Sequence, residues 1–90
     1  MELRKESSEG EEAKRILDSE VFKDAMQTLS DGYMSEWVNS EAVDQERREV
    51  VYMKLRILAD FVNELQTVLQ TGQMADEQIR QEDKPKSTVN

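Results

Sequence analysis

Ninety residues allow one small domain at most, and a core of that size buries too low a fraction of its surface to be secure alone. Hydrophobic residues make up 37% of the chain and charged residues 36%, a balance that suits exposed helices with coiled-coil-like faces. The formal charge of −8, with basic residues interspersed among acids, argues against direct binding of nucleic acid or anionic membrane, and the lack of cysteine removes disulfides and thiolate chemistry.

The opening MELRKESSEG is polar, and residues 1–10 are expected to be a flexible N-terminus. Ser8-Glu9-Gly10-Glu11 has capping-box spacing, which predicts a short helix from about Glu9 to Leu17. Asp18 and Ser19 both favour N-cap positions, so a bend is expected there, with one continuous helix as the alternative.

From Phe22 the apolar residues Phe22, Met26, Leu29, Tyr33 and Trp37 fall three and four apart, on one face of a second helix. Beside them runs a row of small residues, Ala25, Thr28 and Gly32. Gly32 inside a helix costs about 1 kcal/mol relative to Ala. Either another backbone approaches closely there, or the glycine marks a kink.

Asn39-Ser40 and Asp44 punctuate a turn, and Asp44 is the expected N-cap of a third helix. That helix carries Val51, Leu55, Leu58, Val62, Leu65 and Leu69 in alternating steps of four and three, a heptad seam. Gly72 reads as its C-terminal stop. The helical domain is therefore expected over residues 11–75, with residues 76–90 a polar, disordered tail holding the only proline, although QMADEQIRQEDK after Gly72 could form one or two loose helical turns.

The predicted fold is all-α: an antiparallel helical hairpin with a short extra N-terminal helix, oligomerising through helix packing. Phe22, Met26, Leu29 and Tyr33 would face the Val51–Leu69 seam. At the closed corner Trp37 would cover the start of the third helix near Val51 and Tyr52, with Asp44 capping and Arg48 stacked on the indole.

A second apolar group, Val50, Ile57, Phe61 and Val68, lies roughly a hundred degrees from the seam on a helical wheel. A two-helix contact does not use it, which makes it the candidate partner interface. The third helix, read as about 28 residues and about 42 Å, overhangs a second helix of about 28 Å. Ile16 and Leu17 can fold back on part of the overhang. The alternative is a three-helix monomer in which the N-terminal segment covers everything.

Histidine is absent, so the commonest general base and metal ligand are missing. No Gly-rich phosphate loop appears, and Glu46, Glu49, Asp60 and Glu64 read as solvated surface charges. No catalytic residue, metal or cofactor is expected. No run approaches membrane-spanning length and no signal peptide opens the chain, so a soluble intracellular protein is expected.

Around the turn, Trp37 ends one helix, Asp44 follows, then Arg48-Glu49 and Tyr52, and Gly72-x-x-Ala75 closes the pattern. In this arrangement the chain resembles a group of small, mostly uncharacterised helical-hairpin proteins of tailed bacteriophages. The resemblance covers roughly residues 13–75. Asp18-Ser19 is a departure, since those proteins often carry Asn-Pro there. The resemblance implies a viral origin and a role without catalysis, in the host-cell cytoplasm or in the virion; it implies no binding residues.

Three functions follow as expectations. The first is association with itself or with another phage or host protein, as a virion or assembly component or accessory factor. The second is an acidic, DNA-mimic-like inhibitor of a host nucleic-acid enzyme or defence system, although Lys23, Arg47, Arg48, Lys54 and Arg56 dilute the acids. The third is a helix-turn-helix DNA reader around residues 39–44, which lacks the basic surround such a helix needs.

Overall fold

Three helices account for the fold of the computed structural model, which describes residues 2–83: α1 over Leu3–Asp18, α2 over Glu20–Asn39 and α3 over Gln45–Asp83. Ser19 alone separates α1 from α2, with φ −67° and ψ 130°. That extended residue stops α1 and starts α2, because its hydroxyl accepts the Phe22 N–H at 3.2 Å. One turn earlier, Lys14 Nζ holds the Asp18 carboxylate at 2.8 Å and lowers its pKa. Asp44 starts α3 in the same way as Ser19 starts α2: its Oδ1 accepts the Arg47 N–H at 3.1 Å.

The pairings between helices fall steadily along the chain. Glu36 faces Arg47 and Lys54, each at 3.8 Å. Lys54 Nζ lies 5.6 Å from the Tyr33 ring centroid, and the Phe22 and Phe61 rings are 6.4 Å apart. Beyond Ser19 the series continues with Gly10 against Gly72, and Ser7 donating to Asp76. α1 and α2 thus share the length of α3 between them, α2 on its first half and α1 on its second.

The two contacts differ in kind. α1 meets α3 through small residues: Gly10, Ala13, Gly72 and Ala75 are all buried. A Cβ at Gly72 would lie 2.6 Å from the Gly10 Cα and 2.9 Å from the Glu6 carbonyl oxygen. The backbones therefore touch, and this is the more extensive contact of the fold. α2 meets α3 through long side chains, Phe22, Met26, Tyr33 and Trp37, which hold the helices apart.

This arrangement corrects several expectations. Residues 3–10 are helical, not flexible, because Gly10 lets the start of α1 lie against α3. The capping box at Ser8–Glu11 goes unused inside that helix. Gly72 does not stop α3, which runs on to Asp83; it is a contact point in the helix interior. Residues 76–83, placed in the polar tail with at most one or two loose helical turns, continue α3 without a break, and residues 84–90 lie outside the described residues. Gly32 is met by no atom within 4 Å, and α2 passes through it unbroken, so it marks neither a close approach within the chain nor a break in the helix.

The shape is a rod. The radius of gyration is 20.2 Å, where a compact chain of this length would have about 12 Å. A layer one helix thick has no third element to cover its faces, and its fully shielded apolar side chains among the described residues are Ala13, Val51 and Ala75.

Candidate association surface

The corner is built from local rules. Trp37 sits in the last turn of α2 and is half-buried. The Arg48 guanidinium lies 4.1 Å from its ring centroid. Ser40 joins the two: its hydroxyl donates to the Trp37 carbonyl oxygen at 2.6 Å and accepts from Arg48 Nη1 at 3.1 Å. In the first turns of α3, Val51 has no exposed surface, while Tyr52 is exposed. The arrangement orders a turn, and beside it lies an open depression of about 340 Å³ lined by Trp37, Gln45, Arg48, Glu49 and Tyr52, shallower and more polar than the enclosed, mostly apolar clefts that small-molecule sites use.

Along α3 the seam residues Leu55, Leu58, Val62, Leu65 and Leu69 are half-buried, turned toward α2 and α1. Phe22, Met26 and Tyr33 are half-buried opposite them, and Leu29 is exposed. Of the second apolar group, Val50 is 47% exposed, Ile57 67% and Phe61 50%. Val68 differs from them: it is half-buried, and its carbonyl oxygen would lie 3.3 Å from a Cβ at Gly10. It belongs to the α1 crossing, not to the open stripe.

Two apolar features therefore remain open, on opposite flanks of the α2–α3 layer. One is the stripe Val50, Ile57 and Phe61. The other is a groove of about 890 Å³ between the helices, floored by Phe22, Met26, Leu55, Ala59 and Val62 among others. The long side chains that space α2 from α3 create this groove.

Gly10, Ala13 and Ala75 were not singled out as contact residues from sequence. Their signal was present: Gly-x-x-Ala occurs at 10–13 and again at 72–75, two small-residue faces able to receive each other. Among the described residues no group of three or more His, Cys, Asp or Glu side chains is placed to hold a metal ion. No helix among them is long and apolar enough to cross a membrane. Comparison with protein-family models, curated proteins and solved structures gave no match.

Proposed function

We propose that the chain is a non-catalytic association protein, a helical hairpin whose α2–α3 layer works by packing against another protein. The observation that carries this reading is the open stripe of Val50, Ile57 and Phe61 on a layer that shields few of its own apolar side chains. Fully burying a side chain of this size is worth about 1.5–3 kcal/mol, and these three keep between 47% and 67% of their surface in water. Covering them is therefore a sufficient driving force for assembly. The Trp37-to-Ala75 pattern adds the likeness to small tailed-phage proteins, and with it a place as virion or assembly component or accessory factor.

The test is the pair Ile57→Asp and Phe61→Asp in one chain. Both residues lie on the exposed flank, so a carboxylate at each stays in water within the monomer and is desolvated only in a complex. Association is expected to disappear by light scattering, while the far-UV circular dichroism stays helical. Unchanged association would remove this stripe as the working surface.

A further inference from the structure

We propose that the occupant of the stripe is a second copy of this chain, packed about a two-fold axis parallel to the helices, with both turns at the same end. The inference rests on the association reading above and names its partner and geometry.

The stripe is half of a larger surface. Val50, Lys54, Ile57 and Phe61 are spaced four, three and four apart, so they share one flank of α3. Ala25, Leu29, Gly32 and Glu36 have the same spacing and share one flank of α2. Glu36 bonds Lys54 across the helices at 3.8 Å, which places both flanks on the same side of the layer. That side thus carries a ridge of large residues on α3 and, beside it on α2, two gaps at Ala25 and Gly32 on either side of the apolar Leu29. Thr28 borders these gaps, and no atom comes within 4 Å of a Cβ built at Gly32.

A surface holding both a ridge and the gaps that receive it is self-complementary, the requirement of a two-fold contact between identical chains. The internal pairings set the levels: Phe61 lies beside Phe22, and Lys54 beside Tyr33 and Glu36. Rotation about an axis along the helices keeps those levels and lays α3 of one copy over α2 of the other. Phe61 then stands over Ala25, Ile57 over Thr28, and the Lys54 stem over Gly32. Turning the second copy end for end would instead set ridge on ridge.

Area and charge agree with this partner. α2 is about 30 Å long and two adjacent helices are about 20 Å wide, a flat face of about 600 Å² before its relief is counted. Stable complexes bury about 600–1,000 Å² per partner, so the face reaches the lower end of that range. A chain of net charge −8 repels its copies unless the contact itself is free of excess acid. Here Glu36 sits between two cations, Arg47 and Lys54, and in the dimer each Lys54 also comes near the other copy's Glu36.

The chain has no cysteine, so single introduced thiols report proximity without background. Thr28→Cys protein and Ile57→Cys protein are mixed, oxidised and run without reductant, and each is also oxidised alone. The mixture is expected to give a disulfide-linked dimer of the two different chains, and Ile57→Cys alone is expected to give little. A disulfide requires Cα atoms within about 7 Å, and the two Ile57 positions lie diagonally across the four-helix assembly. Strong self-linking of Ile57→Cys in a chain of dimer mass would overturn this geometry while leaving association intact. A monomer mass by light scattering with no cross-link would remove both the geometry and the self-association beneath it.

Discussion

Replacing Gly72 by Ala lowers the stability of the chain, although Ala is the better helix former by about 1 kcal/mol. The added methyl meets backbone on three sides: the Gly10 Cα at 2.6 Å, the Glu6 carbonyl oxygen at 2.9 Å and the Gly10 nitrogen at 3.2 Å. None of these is the end of a flexible side chain that can swing away. The helices must separate, and overpacking of this kind costs about 1–3 kcal/mol. For a domain of this size that is a fall in Tm of about 4–8 °C per kcal/mol. Gly10→Ala is expected to behave alike, since its Cβ would lie 2.7 Å from the Gly72 Cα. The double variant should cost less than the sum of the two, because the first methyl has already opened the crossing for the second. Thermal unfolding of the four proteins measures both the cost and the coupling, and a Gly72→Ala protein more stable than its parent would mean the crossing is looser than described.

Trp37→Ala has the largest expected effect at the other end of the rod. Truncating a fully buried Trp costs about 3–5 kcal/mol, and Trp37 is half-buried, so about 2–3 kcal/mol is expected. The loss has three parts. The half-buried indole no longer keeps its own surface out of water, the Arg48 guanidinium loses the ring it stacks on, and the Ser40–Arg48 hydrogen bond loses the support that orients it. Trp37→Phe restores part of the cover and part of the cation–π contact, and should recover about half. Chemical denaturation followed by circular dichroism gives the numbers. Trp37 is also the only tryptophan, so its fluorescence in the Gly72→Ala protein reports whether the corner survives when the far crossing is strained. The expected result is an unchanged emission maximum below the unfolding transition.

The corner was legible in the sequence because its interactions are local. Asp44 as a cap, Arg48 over Trp37 and the break at Ser19 all follow from helix ends and near neighbours, where spacing along the chain fixes position in space. The heptad seam was legible for the same reason. The glycines were not. A glycine after an apolar run reads alike whether it ends a helix or admits another backbone, and only the partner decides. For Gly72 the partner is Gly10, far away in the chain and inside a segment whose polarity reads as a flexible end. Gly32 reads either as a close approach or as a kink, and the chain itself supplies no neighbour there and no break in α2. The stripe could be placed on one flank of α3 from periodicity. Which of its members stay open could not, since Val68 is claimed by α1 through a crossing that the helical wheel does not contain.

The charge pattern works in the same direction. Arg47 and Lys54 converge on Glu36 across the helices, so cations stand at intervals among the acids near the turn. A long single-sign track, the feature a nucleic-acid mimic needs, is interrupted there. An apolar flank with a nearly neutral middle is instead the character of a protein contact core.

The most direct measurement is the mass of the unmodified chain by light scattering behind a size-exclusion column, at two protein and two salt concentrations. A mass near 21 kDa is expected, twice the 10.5 kDa of one chain, held at the higher salt because the contact is mainly apolar. A steady 10.5 kDa at every condition, with the helical signal intact, would contradict the dimer.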